Sequence, residues 1–347
     1  MNMSDMNPDL TPVADSAVVT QSVPIIDLGG AKGMQDPATA ARIAGEIGNA
    51  CRDWGFFQII NHGVDAEHLD RVWQSIREFF ALPRAEKRAL NRKSENPWGY
   101  FDRELTKNQR DKKEIFDIGP EFDMGATCDD PFSGATPWPT SQPIFETAMR
   151  THFKICEKLS ITMVDAICLS LDLQRDRLKS SFEPTHTSFL RLNYYPVEDP
   201  LSDLPEEAGN IADLGIHYHS DAGAVTILIQ DHVGGLQVFK DGGWYDVEPI
   251  AGAFVVNIGD MVQVWSNDKY RAALHRVQAM SSIDRYSFPF FYNPAYGAVV
   301  EPLECAKTPI LYQGIDWGEF RRKRADGDYA NVGKEVQISD YRVTTAE

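Results

Sequence analysis

Ala224-Val225-Thr226-Ile227-Leu228-Ile229-Gln230 is a short β-rich run, and Leu236-Gln237-Val238-Phe239 and Trp244-Tyr245-Asp246-Val247 follow it closely. Gly234-Gly235 and Asp241-Gly242-Gly243 stand between them as turn signals. The same grain extends outward from Thr187 to Tyr292. Ser188 to Tyr195, Ala253 to Ile258, Met261 to Trp265, Ala272 to Gln278 and Arg285 to Tyr292 also read as strands. Eight strands at this spacing, punctuated by Gly259-Asp260 and by Ser281 to Asp284, predict a sandwich or barrel.

Upstream the period changes. Met1 to Gln21 is polar and aperiodic and reads as a disordered leader. Order begins with a short strand, Val23 to Leu28. Asp36-Pro37 then starts a helix that carries Ile43, Ile47, Cys51 and Trp54 at helical spacing until Gly55. A buried strand, Phe56 to Ile60, ends at Asn61-His62-Gly63, where His62 reads as a turn histidine. Asp65 caps a second helix, and the strand between the two helices is expected to join a sheet made elsewhere. Pro143 to about Leu171 is the longest periodic segment, with Phe145, Met149, His152, Cys156, Leu159 and Met163 on one stripe. His152 reads there as a packed histidine. Trp317 to Arg324 reads as a helix, and its run Arg321-Arg322-Lys323-Arg324 as a solvated face.

Charge and composition exclude several functions. The 347 residues are 43% hydrophobic, enough for a large core, and 34 basic against 51 acidic residues leave a net charge of −17. Such a chain repels a phosphate backbone, so no nucleic acid is expected. No run of about 18 apolar residues is present, so no membrane span is expected. The five cysteines are scattered without a C-x-x-C pair, which argues against a disulfide framework or a thiolate zinc site. The first twenty-odd residues lack the pattern of a secretory signal. These features predict a cytoplasmic protein, and no protein partner is indicated.

The chemistry gathers inside the β-rich half. His217-Tyr218-His219-Ser220-Asp221 places His219 and Asp221 two residues apart, which on a strand is one face. His275, in Ala272-Ala273-Leu274-His275-Arg276-Val277, supplies a distant third donor. Two imidazoles and one carboxylate form the facial set of non-haem iron(II) oxygenases, with open positions left for substrate groups and O₂. Arg285 and Ser287 are again an i, i+2 pair, and a guanidinium beside a hydroxyl clamps a carboxylate. Asn193 and Tyr195 form another such pair. An inward arginine in a barrel strand requires an anion to meet it.

In combination, Asn193-x-Tyr195-Pro196, His219-x-Asp221-x-Gly223, Gly234-Gly235-Leu236-Gln237-Val238, Asn257-x-Gly259-Asp260, His275-Arg276-Val277 and Arg285-x-Ser287 resemble the isopenicillin N synthase-like family of iron(II)/2-oxoglutarate-dependent dioxygenases. Val23 to Leu28, Trp54 to Ile59, Asn61-His62-Gly63 and Lys113-Glu114-x-Phe116-Asp117 extend the resemblance over roughly residues 23 to 320. It implies an α+β fold: a double-stranded β-helix, or jelly roll, with flanking helices that are mainly N-terminal. The expected layout is a leader at 1–22, a helical region at 23–180 lending strands to the core, a catalytic core at 181–310, and a C-terminal helix and tail at 311–347, all one catalytic unit. It implies His219, Asp221 and His275 as iron ligands. Arg285 and Ser287 would hold the distal carboxylate of 2-oxoglutarate, with Asn193 and Tyr195 lining the same pocket. A small organic substrate would be hydroxylated, desaturated or cyclised with O₂, releasing succinate and CO₂.

Three alternatives stay open at this point. Some relatives use iron and O₂ without 2-oxoglutarate. The donor set also suits a zinc hydrolase, which leaves Arg285 and Ser287 without a task. A non-catalytic jelly-roll binding module would have lost a ligand, and all three are present. By parity His217 shares the face of His219 and is placed at the pocket rim. Counting by twos from Arg285 brings Phe291 into the lumen, and Trp98, Tyr100 and Phe101 are candidates for the opposite wall. Such walls favour a planar or apolar substrate.

Overall fold

A computed structural model describes residues 22–30, 33–93, 95–106, 109–121, 134–204, 206, 213–304, 309–328 and 336–343, the side chains of 326–328 excepted. The predicted leader lies outside the described residues, apart from its last position. The N-terminal elements are β1 (Ile25–Asp27), α1 (Pro37–Asp53), β2 (Phe56–Ile60), α2 (Ala66–Phe80) and α3 (Arg84–Arg88). The side chains of Asp36 and Asp65 cap α1 and α2 by accepting from the Thr39 and Glu67 amides. Next come β3 (Gly99–Phe101), β4 (Leu105–Thr106), β5 (Gln109–Arg110), β6 (Glu114–Ile118) and the long α4 (Pro143–Ser170).

The β-rich half follows: β7 (Phe189–Tyr195), β8 (Leu214–His219), β9 (Val225–Gln230), β10 (Leu236–Lys240), β11 (Gly243–Asp246) and β12 (Phe254–Ile258). After these come α5 (Asp260–Trp265), β13 (His275–Gln278) and β14 (Arg285–Tyr292), then β15 (Val299–Val300), β16 (Ile315–Asp316) and α6 (Trp317–Asp328). One prediction is corrected here: Met261 to Trp265 is helix, not strand. A short buried apolar run fits either element by pattern alone. The turn before it decides, because Gly259 passes so close to the Gly223 carbonyl that a Cβ would lie 2.3 Å from that oxygen. Leu214–His219 takes the place of the missing strand.

A large sheet runs β1-β2-β12-β9-β14-β7-β6-β3, and a small one runs β11-β10-β13-β8. The N-terminal strands thus extend the sheet built by the C-terminal half, as the helix-strand-helix pattern predicts. Alternation on β14 separates two environments. Phe288 meets Trp73 and His152 edge-on at 4.6 and 5.1 Å, and Phe290 meets Phe153 at 4.8 Å, so even positions pack under α2 and α4. Truncating such a wholly buried phenylalanine costs about 3–5 kcal/mol. Odd positions, Arg285 to Asn293, face the other way into a cavity. Between the sheets, Phe56, Leu228, Val238, Val255 and Val277 form a smaller apolar core. His152 is fully buried, near His68 and Cys156 at 3.3 Å each, which bears out its packing role. His62 is likewise a turn histidine, bonded to the Gly252 carbonyl at 2.7 Å and accepting from the Val64 amide. Among the described residues, no helix is long and apolar enough to cross a membrane.

Candidate active site

The small sheet brings two histidines together. β13 pairs antiparallel with β8 so that His275 stands opposite His219, and their rings lie 4.3 Å apart. The His219 Nδ1–H donates to the His217 carbonyl at 2.8 Å, and that of His275 to the Ala273 carbonyl at 3.2 Å. Both Nε2 lone pairs are thereby left facing one point. Asp221 is not on the strand: β8 ends at His219, and the carboxylate reaches the same point from the turn beyond. There Thr226 Oγ1 and Asn257 Nδ2 donate to Oδ2 at 2.5 and 2.7 Å, while the Asp260 amide donates to the Asp221 carbonyl. Oδ1 is left toward the histidines, 3.7 Å from His219 Nε2 and 3.6 Å from His275 Nε2.

The electrostatics follow from this packing. Burial works to raise the Asp221 pKa, but the two imidazoles and the Asn257 and Thr226 donors outweigh it and hold the carboxyl below its ordinary range. Burial, aided by the His275 charge, pushes the His219 imidazole down. Asp221 is thus favoured as the carboxylate and His219 as the neutral imidazole, the forms that ligate a metal. One donor atom from each of the three residues lies within 4.8 Å of the others, and among the described residues no other His, Cys, Asp or Glu group converges so. Two nitrogens and one oxygen on one side of a point fit iron(II).

The large sheet holds the anion end. Arg285 is completely buried, with Nη1 donating to Ser287 Oγ at 3.1 Å and Nη2 to Gln230 Oε1 at 3.2 Å. Its guanidinium sits 5.0 Å from the Tyr195 ring centroid. Among the described residues, Arg285 Nε has no hydrogen-bond partner, nor has the Oδ1 of buried Asn193. A buried guanidinium with an unused donor and no carboxylate bonded to it is costly unless an anion completes it. Burial accordingly lowers its pKa, with Tyr195 and Asp231 acting in the opposite sense.

One cavity of about 590 Å³ joins the two centres. His219, Asp221, His275, Arg285, Ser287, Asn193, Tyr195 and Phe291 all line it, as do Trp98 and Phe101. Two candidates do not. Tyr100 is wholly buried in the main core, near Phe79, because its neighbours Gly99 and Phe101 take the other face of β3. His217 is turned away and bonds Gln109 at 3.1 Å. Between the pairs His275–His219 and Val277–Ile216 the small sheet has a bulge, so Ile216 and His219 face the cavity and parity fails for His217.

A further correction concerns the basic run. Arg324 is buried, donating to the Ser220 carbonyl at 3.1 Å and to Gln337 Oε1 at 2.6 Å, and Arg321 also lines the cavity. The signal was present as Trp317, Arg321, Arg324 and Ala325, one helical face. Buried Glu104, Lys113 and Asp117 and the partly buried Arg191 form an ionic wall that sequence reasoning missed as site residues. Lys113 and Asp117 stand in a motif quoted for the resemblance, but ion pairing between distant segments leaves no periodic trace.

The comparisons with known proteins agree. The family model described as 2OG-Fe(II) oxygenase superfamily matches residues 186–294, and the one for the non-haem dioxygenase in morphine synthesis N-terminal region matches 23–141. Protein DMR6-LIKE OXYGENASE 2 of Arabidopsis thaliana is 32% identical over 94% of this chain and 88% of its own length. The chain belongs to the 2OG-Fe(II) oxygenase superfamily. A 1-aminocyclopropane-1-carboxylate oxidase of Musa acuminata is 35% identical over 86% of this chain and 92% of its own. Among solved structures, JOX2 in complex with 2OG, Fe and JA superposes with a TM-score of 0.73 at 30% identity, covering 93% of this chain and 90% of that one. A Neurospora crassa protein solved in complex with alpha-KG and thymine gives 0.74 at 26%, covering 88% and 96%. This oxygenase is therefore an α+β jelly-roll enzyme that uses iron(II), 2-oxoglutarate and O₂ on a small-molecule substrate.

Proposed function

We propose that His219, Asp221 and His275 hold the iron, and that Arg285 and Ser287, with Asn193 and Tyr195 beside them, hold the distal carboxylate of 2-oxoglutarate. The convergence of three donor atoms on one point carries this reading. The orphaned Nε of Arg285 supports the second half. A substrate with a flat or apolar body is expected against Phe291, Trp98 and Phe101. The region 23–180, the core 181–310 and the C-terminal segment 311–347 act as one catalytic unit, a reading supported by the N-terminal strands that complete the large sheet and by the α6 residues that line the cavity. A cytoplasmic setting is supported by Cys51, Cys156 and Cys168, all free buried thiols.

Held by His219, Asp221 and His275, iron(II) would supply oxidation of the substrate by O₂, coupled to decarboxylation of 2-oxoglutarate to succinate and CO₂. The chain's own task is placement. The His217 and Ala273 carbonyls fix the tautomers of the two histidines. Thr226 and Asn257 occupy Asp221 Oδ2 and leave Oδ1 for the metal. The stacked pair Phe189 and Phe291, ring centroids 4.7 Å apart, gives the cavity a stiff apolar wall that keeps water from the reacting end.

Anaerobic titration tests the reading. Iron(II) followed by 2-oxoglutarate should develop a visible charge-transfer absorption with the wild-type protein, and Asp221→Ala should develop none. A wild-type protein that binds 2-oxoglutarate equally well without metal, and shows no such band, overturns the assignment.

A further inference from the structure

The short helix α5 reaches toward the metal centre in two directions. Asn257, on the strand just ahead of it, donates to Asp221 Oδ2 at 2.7 Å, and the amide of Asp260, its first residue, donates to the Asp221 carbonyl at 2.8 Å. One turn on, Gln263 reaches the other way, and its Oε1 accepts from the Ala272 amide at 2.9 Å. Ala272 stands one residue before Ala273, whose carbonyl accepts from His275 Nδ1. Residues 271–274 belong to no strand, so Gln263 supplies a tie that the sheet ladder does not.

A carboxylate behind Gln263 sets the direction of its amide. Gln263 Nε2 donates to Asp268 Oδ1 at 2.9 Å and to the Tyr312 hydroxyl at 3.1 Å. Tyr312 donates to the same Oδ1 at 2.5 Å, and Arg342 Nη2 holds Oδ2 at 2.5 Å. Burial works to raise the Asp268 pKa, but the Tyr312, Arg342 and Gln263 donors outweigh it and keep the carboxyl ionised. A carboxylate only accepts, so Gln263 turns its NH₂ to Asp268 and its oxygen to Ala272. The backbone beneath is unusual as well. Asn267 and Asp268 are consecutive residues with φ of 50° and 65°, which side-chain-bearing residues hold where their surroundings over-determine them. Here Asn267 is bonded to the Pro309 carbonyl and the Leu311 amide, and Asp268 to Arg342 of the C-terminal segment.

We propose that Gln263 is a positioning residue of the iron centre: it locks the segment leading into His275 to the helix that holds Asp221, and Asp268 and Arg342 fix its direction. The inference rests on the ligand set proposed above. A site of this kind works only within about 0.5 Å of its productive geometry, so the spacing of two ligands on separate segments has to be held from outside. The chain of side chains from Arg342 through Asp268 and Gln263 to the Ala272 amide does this without touching the reacting space, for none of these residues lines the cavity.

Anaerobic iron(II) titration against a chromophoric chelator, well below the unfolding temperature, tests the proposal, with thermal unfolding of the metal-free protein recorded beside it. Gln263→Leu removes both bonds at similar size and should weaken iron(II) about ten- to a hundredfold, the range for partners that orient metal ligands. Gln263→Glu sets a second carboxylate against Asp268 and should also weaken it. Adding Asp268→Asn to Gln263→Glu exchanges donor and acceptor, restores both bonds and should recover most of the affinity. Arg342→Gln, at the exposed end of the chain, should cost less. A glutamine that serves stability alone would lower the unfolding temperature of the metal-free protein and leave iron(II) affinity untouched, and that outcome overturns the proposal. So does a double variant that binds iron(II) no better than Gln263→Glu, a comparison that decides alone if Gln263→Leu does not fold. His275→Ala identifies which idea failed. If it too leaves iron(II) affinity unchanged, the ligand set falls and takes this inference with it; if it abolishes binding while Gln263→Leu does not weaken it, only the role of Gln263 falls.

Discussion

The two sheets reach the same cavity by different routes. On β14 the ladder is regular: Arg285, Ser287, Pro289, Phe291 and Asn293 alternate into the cavity without a break. Even the proline is accommodated, since Phe288 and Pro289 are the positions at which pairing with β7 is skipped. On β8 a bulge intervenes, and the third proposed ligand, Asp221, comes from the turn after the strand. A regular ladder presents co-substrate groups at fixed intervals, whereas a metal needs three donors converging on a point. A flat ladder does not supply that convergence; a bulge and a turn do.

The largest expected effect breaks the metal side outright. His275→Ala should abolish iron binding and turnover while leaving the fold intact; full iron content with normal succinate release would sink the ligand set. On the regular side, Arg285→Gln keeps hydrogen bonding but removes the charge. It should raise the 2-oxoglutarate KM about ten- to a hundredfold, the worth of a charge-assisted bond. A wild-type protein that turns substrate over equally well without any keto acid would show that the clamp serves another anion.

Asn257→Ala sharpens the contrast. It leaves the proposed ligands in place but removes one of the two donors on Asp221 Oδ2, and iron affinity should fall about tenfold, as for the loss of other partners that orient metal ligands. Unchanged affinity by equilibrium dialysis would mean that Thr226 alone orients the carboxylate. Phe291→Ala should lower substrate-coupled turnover several-fold while changing 2-oxoglutarate affinity less than about twofold; equal losses in both would remove it from the substrate wall. The smallest effect belongs to His217. Because it is the backbone carbonyl that holds His219, His217→Ala should change iron content and KM by less than about twofold. A tenfold loss would place the side chain back at the pocket.

This contrast also explains what the sequence made legible. Arg285, Ser287 and Phe291 follow from parity, and the three ligands from residue type plus resemblance. His217 was misplaced because a bulge adds one residue without a mark in composition. Tyr100 is misplaced because three neighbouring aromatics read as one wall, whereas the short strand β3 turns Tyr100 to the face opposite Phe101. Met261 to Trp265 was taken for strand because a buried helical turn and a buried strand share an apolar composition. The basic run at 321–324 looked solvated because local charge does not reveal that a carbonyl and a carboxylate lie above one face of α6. Long-range pairing escapes any window along the chain.

The position of β8 at the end of its sheet has a consequence for how the molecule breathes. β14 has a neighbour on either side, but among the described strands β8 has only β13, so its amides belong to the segments that open most easily and exchange hydrogen soonest. His219 and His275 sit opposite each other across that one seam. An ion gripping both is a rivet through the loosest edge of the barrel, and it slows the opening of β8 in proportion to its own affinity. On the proposed ligand set, loss of iron therefore unfastens a strand as well as silencing a reaction, and leaves the buried Arg285–Ser287 pair on the large sheet standing.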